Sequence, residues 1–187
     1  PISCFLNYVD DSREGITDHY VENAFLSSFG GGIGGTWSDV RSSGTRTSKG
    51  SESTGVIPFI KVVDAEMLAF SQGVTRRGSY ASYLHMSHHE IEEFLDGRKP
   101  TGGDTNRKFL NLHHGVVVPD SFMEIIHKAN IEQDFDDSWE LVDPHTQQVV
   151  KRVSARALWV KILQNRMETG EPYFMFEDAV QLSLIHI

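Results

Sequence analysis

The 187-residue chain is 39% apolar, enough for a sizeable core, and its formal charge of −9 with a pI near 5.4 argues against a polyanion-binding surface. No apolar run reaches bilayer-crossing length and no secretory pattern opens the chain, so we expect a cytoplasmic protein with neither membrane nor nucleic acid as a direct partner. The single cysteine, Cys4, excludes an internal disulfide framework and fits a reducing compartment.

Ser3–Val9 reads as a buried strand entered directly from Pro1. Asp11 with Glu14 resembles a capping box, and Ile16, Tyr20, Ala24 and Phe25 recur at helical spacing until the glycines at 30 to 32. Ile33 sits in a brief extended piece, and Ser38–Thr54 reads as a long loop of the kind that is usually functional or mobile. Val56–Phe70 is apolar nearly all round, so a helix there must be covered on most faces, by its own domain or by a partner subunit.

A short loop, Gln72 to Gly78, then leads into a strand over Ser79–Met86. It carries an amide and two adjacent guanidiniums bracketed by Gly73 and Gly78, which suits either a solvated connector or a nucleotide contact. Ser87 with Glu90 is expected to cap a short helix bearing Ile91, Phe94 and Leu95. A polar connector follows, then a strand over Phe109–Val118, a helix from Asp120 and a short strand over Trp139–Val142. A helix over Ser154–Thr169 closed by Gly170 and a last strand at Tyr173–Phe176 complete the series. Repeated strand–helix alternation predicts an α/β fold with largely parallel strands joined by crossover helices.

Gly30, Gly32 and Gly35 satisfy G-x-G-x-x-G, but a helix precedes them and an extended piece follows, the reverse of a dinucleotide fingerprint. His85, His88, His89, His113 and His114 could be read as metal ligands. A break at Ser87 and the alternation of a strand keep them apart, so no metal site is expected. Sequence mechanics alone leave Cys4 as apolar filler and give Asp10 and Asp11 a complete role as helix caps.

Taken in order, Pro1-Ile-Ser-Cys-Phe-Leu, Asp11-Ser12, Gly31-Gly32-Ile33-Gly34, Val40-Arg41-x-x-Gly44, Ser53-x-Gly55-Val-Ile-Pro58, Ser71-Gln72-Gly73, Arg76-Arg77-Gly78, Glu92-x-Phe94-Leu95 and Pro119-Asp120-x-Phe122-Met123 form a specific series. It resembles the large, catalytic subunit of ribonucleotide reductase over residues 1 to about 181. The resemblance implies the first half of a ten-stranded α/β barrel and a chemistry that reduces ribonucleotides to deoxyribonucleotides. A cysteine thiyl radical takes the 3′ hydrogen, the 2′ hydroxyl leaves as water, and a cysteine pair supplies the electrons. Cys4 matches the first cysteine of that pair, re-reduced by thioredoxin or glutaredoxin. Ser3, Cys4 and Gly32 match substrate-contacting positions.

The same resemblance places an allosteric specificity site at Asp11 and Ser12 for the effector's deoxyribose, Arg41 and Lys49 for its phosphates, and Gln72, Arg76 and Arg77 on the loop that reports effector identity. Serine at 48 replaces a basic residue of the family pattern, with Lys49 beside it. Helices over 11–29 and 55–71 match those that form the homodimer. Implied partners are ribonucleoside diphosphates, Mg-bound dNTP or ATP effectors, and a metal-containing β subunit that generates the radical, with adenosylcobalamin as the alternative radical source. The alternative from a different class is a noncatalytic nucleotide-sensing module, in which Cys4 is filler and the loops only bind. No tightly bound cofactor is expected in these residues. The radical cysteine and the second reducing cysteine lie outside the chain, so the 187 residues alone are expected to be inactive, with 182–187 a sequencing-derived tail.

Overall fold

The computed structural model describes residues 2–70 and 76–184. Five parallel strands, β1 (Cys4–Tyr8), β2 (Gly32–Thr36), β3 (Ser79–His85), β4 (His113–Val118) and β7 (Tyr173–Phe176), form one sheet in the order β1-β2-β3-β4-β7. Strand order follows chain order without reversing. A doubly wound sheet reverses at its switch point, whereas successive neighbours of one sense are how a barrel is built. The expected α/β half-barrel is therefore what the sheet presents.

The connecting helices are α1 (Arg13–Ser28), α2 (Ile57–Phe70), α3 (Ile91–Asp96), α4 (Asp120–Ile131) and α5 (Ala155–Thr169), with α6 (Glu177–Leu184) after the last strand. Between α4 and α5 stands an antiparallel hairpin, β5 (Ser138–Val142) and β6 (Val149–Ser154). One face of the sheet carries Ile33, Tyr80, Leu84, Val116 and Val118, which share a single core with Ile16, Ile60, Phe94, Phe122 and Ile162 of the helices. The register puts Cys4, Gly32 and Ser79 side by side on the other face, with Tyr83 and Gly115 paired further along. On that face Leu6 is 92% exposed.

Several expectations change at this point. β1 is an edge strand of exposed and half-buried residues in alternation, so Cys4 is exposed on the open face and is not buried filler. Ser12 caps α1, its hydroxyl accepting from Gly15 N at 3.0 Å, and Asp11 is released to bind Arg41. Ser87 does not cap α3; its hydroxyl pairs with His85 Nδ1 at 2.7 Å, and the Glu90 carboxylate turns away to accept Ser43 N and Val56 N. Phe109–Leu112 stay outside β4, because Asp64 of α2 accepts from Asn111 N and Leu112 N at 2.7 and 3.1 Å and holds that segment off the sheet. His113 and His114 differ in burial as strand neighbours should, yet both rings reach one carboxylate, that of Glu171. Ser154 and Gly170 do close α5 at its two ends, the latter at φ +80°.

α2 fulfils its composition only in part. Ile57, Ile60, Val63 and Met67 are buried, while Val62, Leu68 and Phe70 stay exposed, as do Val21 and Phe25 of α1 and Phe29 just after it. The face of α1 that is buried is Ile16, His19, Asn23 and Ser27, more polar than the Tyr20, Ala24 and Phe25 pattern suggests. Asn7 Nδ2 donates to Asn23 Oδ1 at 3.0 Å, and His19 Nε2 lies 2.8 Å from the Tyr80 hydroxyl, so hydrogen bonds replace apolar contacts along that seam.

Candidate functional site

The sheet has two working edges, and α1 spans the distance between them. At the amino-terminal edge Gly32 N donates to Ser3 O at 2.8 Å and Ser79 N donates to Gly31 O at 3.1 Å, which aligns Ser3, Cys4 and Gly32 at the mouth of the open face. A Cβ added at Gly32 would meet Ser3 O at 3.7 Å, Ser79 Oγ at 3.8 Å and Cys4 Sγ at 3.9 Å, all ordinary contacts. Packing within the chain does not demand glycine here, and the Cys4 thiol beside it is exposed.

Arg76 and Arg77 are exposed at this same edge. Gly30, at φ +75°, lies so close that a Cβ would sit 2.9 Å from Arg76 O, and a Cβ on Gly78 would come 2.6 Å from Ser27 Cα. The start of β3 is thereby packed directly on the last turn of α1. Gln72 lies outside the described residues.

At the carboxyl-terminal edge, Asp11 and Ser12 open α1 and meet Arg41. Arg41 Nε donates to Asp11 Oδ1 and Oδ2 at 3.1 and 3.0 Å, and its backbone N donates to Oδ1 at 3.2 Å. His145 Nδ1, from the turn of the β5–β6 hairpin, stands 3.2 Å from Asp11 Oδ2. The amino terminus of a helix favours negative charge, and the remaining Arg41 Nη donors make only long contacts, at 3.4 Å, to Arg46 O and Asp11 O. The group can accept a hydroxyl at Asp11 and an anion at Arg41. Asp11, Ser12 and Arg41 are thus brought together, while Lys49 is exposed at the tip of the 38–54 loop.

That loop is folded on itself by an antiparallel bridge between Arg46 and Glu52. Its base is held by Glu90, which accepts Ser43 N at 3.1 Å, Val56 N at 3.0 Å and Arg107 Nη2 at 3.2 Å. Burial raises the Glu90 carboxyl, and those donors only partly offset it. His88 Nε2 meets Val40 O at 2.9 Å, and burial lowers its imidazole to about 4. The Thr45 hydroxyl donates to Asp143, tying loop to hairpin. Sequence reasoning missed Glu90 and His145 as parts of this group. The Asp143-Pro144 turn before the Val149–Val153 run was the available signal for the hairpin that carries His145.

Among the described residues no cluster of three or more His, Cys, Asp or Glu side chains could hold a metal ion, and no helix is long and apolar enough to cross a membrane. His113 and His114 serve Glu171 instead. Burial would raise the Glu171 carboxyl, but hydrogen bonds from His114 and His113 and the Arg98 guanidinium outweigh it and bring it to about 2.

Five parallel strands running in one sense, with helices packed on one face, are the frame of part of an α/β barrel domain. Residues 2–183 match the family model described as ribonucleotide reductase, barrel domain, and the chain belongs to that family. A homologue from Frog virus 3 (isolate Goorha) is 48% identical over 184 residues, 98% of this chain and 30% of its own length. The ribonucleoside-diphosphate reductase large subunit of Invertebrate iridescent virus 6 is 46% identical over 179 residues, 96% of this chain and 18% of its own length. The solved class Id ribonucleotide reductase alpha subunit of Actinobacillus ureae superposes with a TM-score of 0.67 at 30% identity, covering 95% of this chain and 27% of that one. The chain spans about a third or less of each of these relatives.

Proposed function

We propose that this chain is the first half-barrel of a ribonucleoside-diphosphate reductase large subunit, in which Cys4 is one of the two cysteines that reduce the ribonucleotide. The observation that carries this reading is the exposed Cys4 thiol beside Gly32, where an added Cβ would make only ordinary contacts, on the outer face of the sheet. Each turnover removes the 2′ hydroxyl as water and leaves Cys4 in a disulfide with a second cysteine, which thioredoxin or glutaredoxin then reduces. The class Id relative favours a radical-generating β subunit as partner. Asp11, Ser12 and Arg41 would bind the effector's sugar and phosphates, with Lys49 at the loop tip and Gln72, Arg76 and Arg77 reading its base.

The geometry gives this reading one requirement. The 16 residues of α1 put Asp11 and Arg76 at ends about 24 Å apart at 1.5 Å per residue, too far for one nucleotide to bridge within a chain. A second copy packed on the exposed Val21, Phe25 and Phe29 stripe, with the two α1 helices antiparallel, brings the partner's loop beside the first copy's Asp11. A homodimer through α1 and α2 is therefore part of the proposal.

The test uses the full-length protein with its β subunit and thioredoxin. CDP reduction should proceed in the wild type and stop over repeated turnovers in Cys4→Ser. dTTP or dGTP should raise the thermal midpoint of wild-type dimer and not of Arg41→Ala. Sustained turnover by Cys4→Ser would remove Cys4 from the chemistry, and an equal shift in both proteins would remove Arg41 from the effector site.

A further inference from the structure

The Asp11 carboxylate has acceptor capacity to spare. Its two oxygens offer about four acceptor positions. Arg41 delivers two hydrogens to them: that of its backbone N to Oδ1 at 3.2 Å, and that of Nε, shared between Oδ1 and Oδ2 at 3.1 and 3.0 Å. Beside Oδ2 stands a donor with nothing to bond. His145 Nδ1 lies 3.2 Å away, yet no hydrogen bond joins the two, and the imidazole has no other partner among the described residues.

His145 is kept there by its backbone. Asp143 accepts His145 N at 2.7 Å and Thr146 N at 3.1 Å, and also takes the Thr45 hydroxyl, which ties the turn to the 38–54 loop. The His145 side chain is 48% exposed and that of Asp11 18%, so the pair opens toward solvent.

An acceptor and a donor set side by side, unbonded to one another, suit one kind of group. With the imidazole hydrogen on Nδ1, an oxygen about 2.7 Å from Oδ2 and about 2.9 Å from Nδ1 closes a triangle on the 3.2 Å side, so a single atom satisfies both. That atom must donate to the carboxylate and accept from the ring, which a hydroxyl does. A phosphate oxygen only accepts and would lie against the Asp11 charge, and an ammonium group only donates.

Resting on the effector-site reading above, we propose that His145 is a further effector ligand, which with Asp11 clamps the sugar hydroxyl of the nucleotide from two sides. The hydroxyl donates to Asp11 Oδ2 and accepts from His145 Nδ1, and neither Arg41 nor the hairpin has to move. The exchange is against water, so the imidazole contributes one net hydrogen bond, about two- to tenfold in affinity. Only nucleotides that carry the hydroxyl gain from it.

The experiment measures dissociation constants of dTTP and of 2′,3′-dideoxy-TTP for the full-length dimer. The wild type should prefer dTTP, and His145→Ala should bind dTTP about two- to tenfold more weakly while holding the dideoxy nucleotide as the wild type does. Equal weakening with both nucleotides would mean that the side chain touches phosphate or shapes the site, and it overturns the proposal. So do unchanged or tighter dTTP binding in His145→Ala, and a wild type that does not distinguish the two nucleotides. Arg41→Ala separates the two levels. If it binds dTTP as the wild type does, the effector site is misplaced and the clamp falls with it, whereas dTTP binding weakened by Arg41→Ala and untouched by His145→Ala overturns the clamp alone.

Discussion

Tyr80→Phe removes one oxygen from the middle of the molecule, and the structure sets what that should cost. The hydroxyl is fully buried, accepts from Trp37 Nε1 at 3.0 Å and pairs with His19 Nε2 at 2.8 Å. Nothing can move in to replace it, because the oxygen packs directly over Gly35. Two buried nitrogens would lose their partner. At about 1–3 kcal/mol for each unsatisfied group, the loss is about 2–6 kcal/mol, with about 3 as a working figure. His19 lies in mid-α1 and Trp37 opens the 38–54 loop, so the cost should fall on those segments. Hydrogen exchange of the full-length protein should show protection in residues 13–28 and 36–42 falling by roughly a hundredfold, since each 1.4 kcal/mol is tenfold. Adding His19→Leu to Tyr80→Phe should cost less than the sum of the two single changes, since the orphaned ring nitrogen is then gone. A fall below threefold in both segments, or strict additivity in the pair, would refute the network as a structural tie.

Two further outcomes follow from buried carboxylates. Glu66 of α2 is raised to about 7 by burial against α1, with a backbone hydrogen bond at Ala24 opposing. Its folded form binds more protons than the unfolded form between about 4.5 and 7, so its contribution to α1–α2 packing falls as pH rises through that window. Glu66→Gln should therefore increase exchange protection of residues 57–70 at pH 8 and change little at pH 5.5; the opposite order would contradict the assignment. Glu90→Ala would orphan Ser43 N and Val56 N and leave Arg107 with Glu93 as its remaining carboxylate partner, at about 2–4 kcal/mol. Exchange in residues 38–56 should rise sharply and dTTP affinity should drop about tenfold, while unchanged affinity would separate the loop from the effector site.

The parallel frame was legible in the sequence because each strand and helix in it announces itself locally. Val116–Val118 is a continuous apolar run, and α5 carries Ser154 and Gly170 at its two ends. Of the hairpin only β5 was legible, as Trp139–Val142, since β6 is exposed along most of its length and offers only the short Val149–Val153 run. The helix start at Asp11-Ser12 offered two good capping residues one position apart. Only Arg41, 30 residues on, decides which of them caps, by taking the aspartate for itself. Cys4 failed for a related reason: its apolar neighbours look buried until the register shows an edge strand with one face open. Glu90 and His145 act through partners 34 to 47 and about 130 residues away, and no local pattern carries such pairings.

The polar seam under α1 has a consequence for how the two edges of the sheet can communicate. Apolar packing would hold the helix to the sheet while tolerating a small slide along its axis. The Asn7–Asn23 and His19–Tyr80 hydrogen bonds are directional, and a shift of one residue's rise, about 1.5 Å, breaks both. α1 is thus fixed in axial position, with Ser12 at one end and the Gly30–Arg76 and Ser27–Gly78 contacts at the other. A change at the Asp11 end cannot be absorbed by sliding within the chain. Within the chain that leaves rotation of the whole rod against β3, and in the proposed homodimer it leaves transfer across the α1 stripe to the second copy. If the proposed effector site is right, Tyr80→Phe, by loosening the rod, should blunt the dependence of substrate choice on effector more than it lowers the rate with any one substrate.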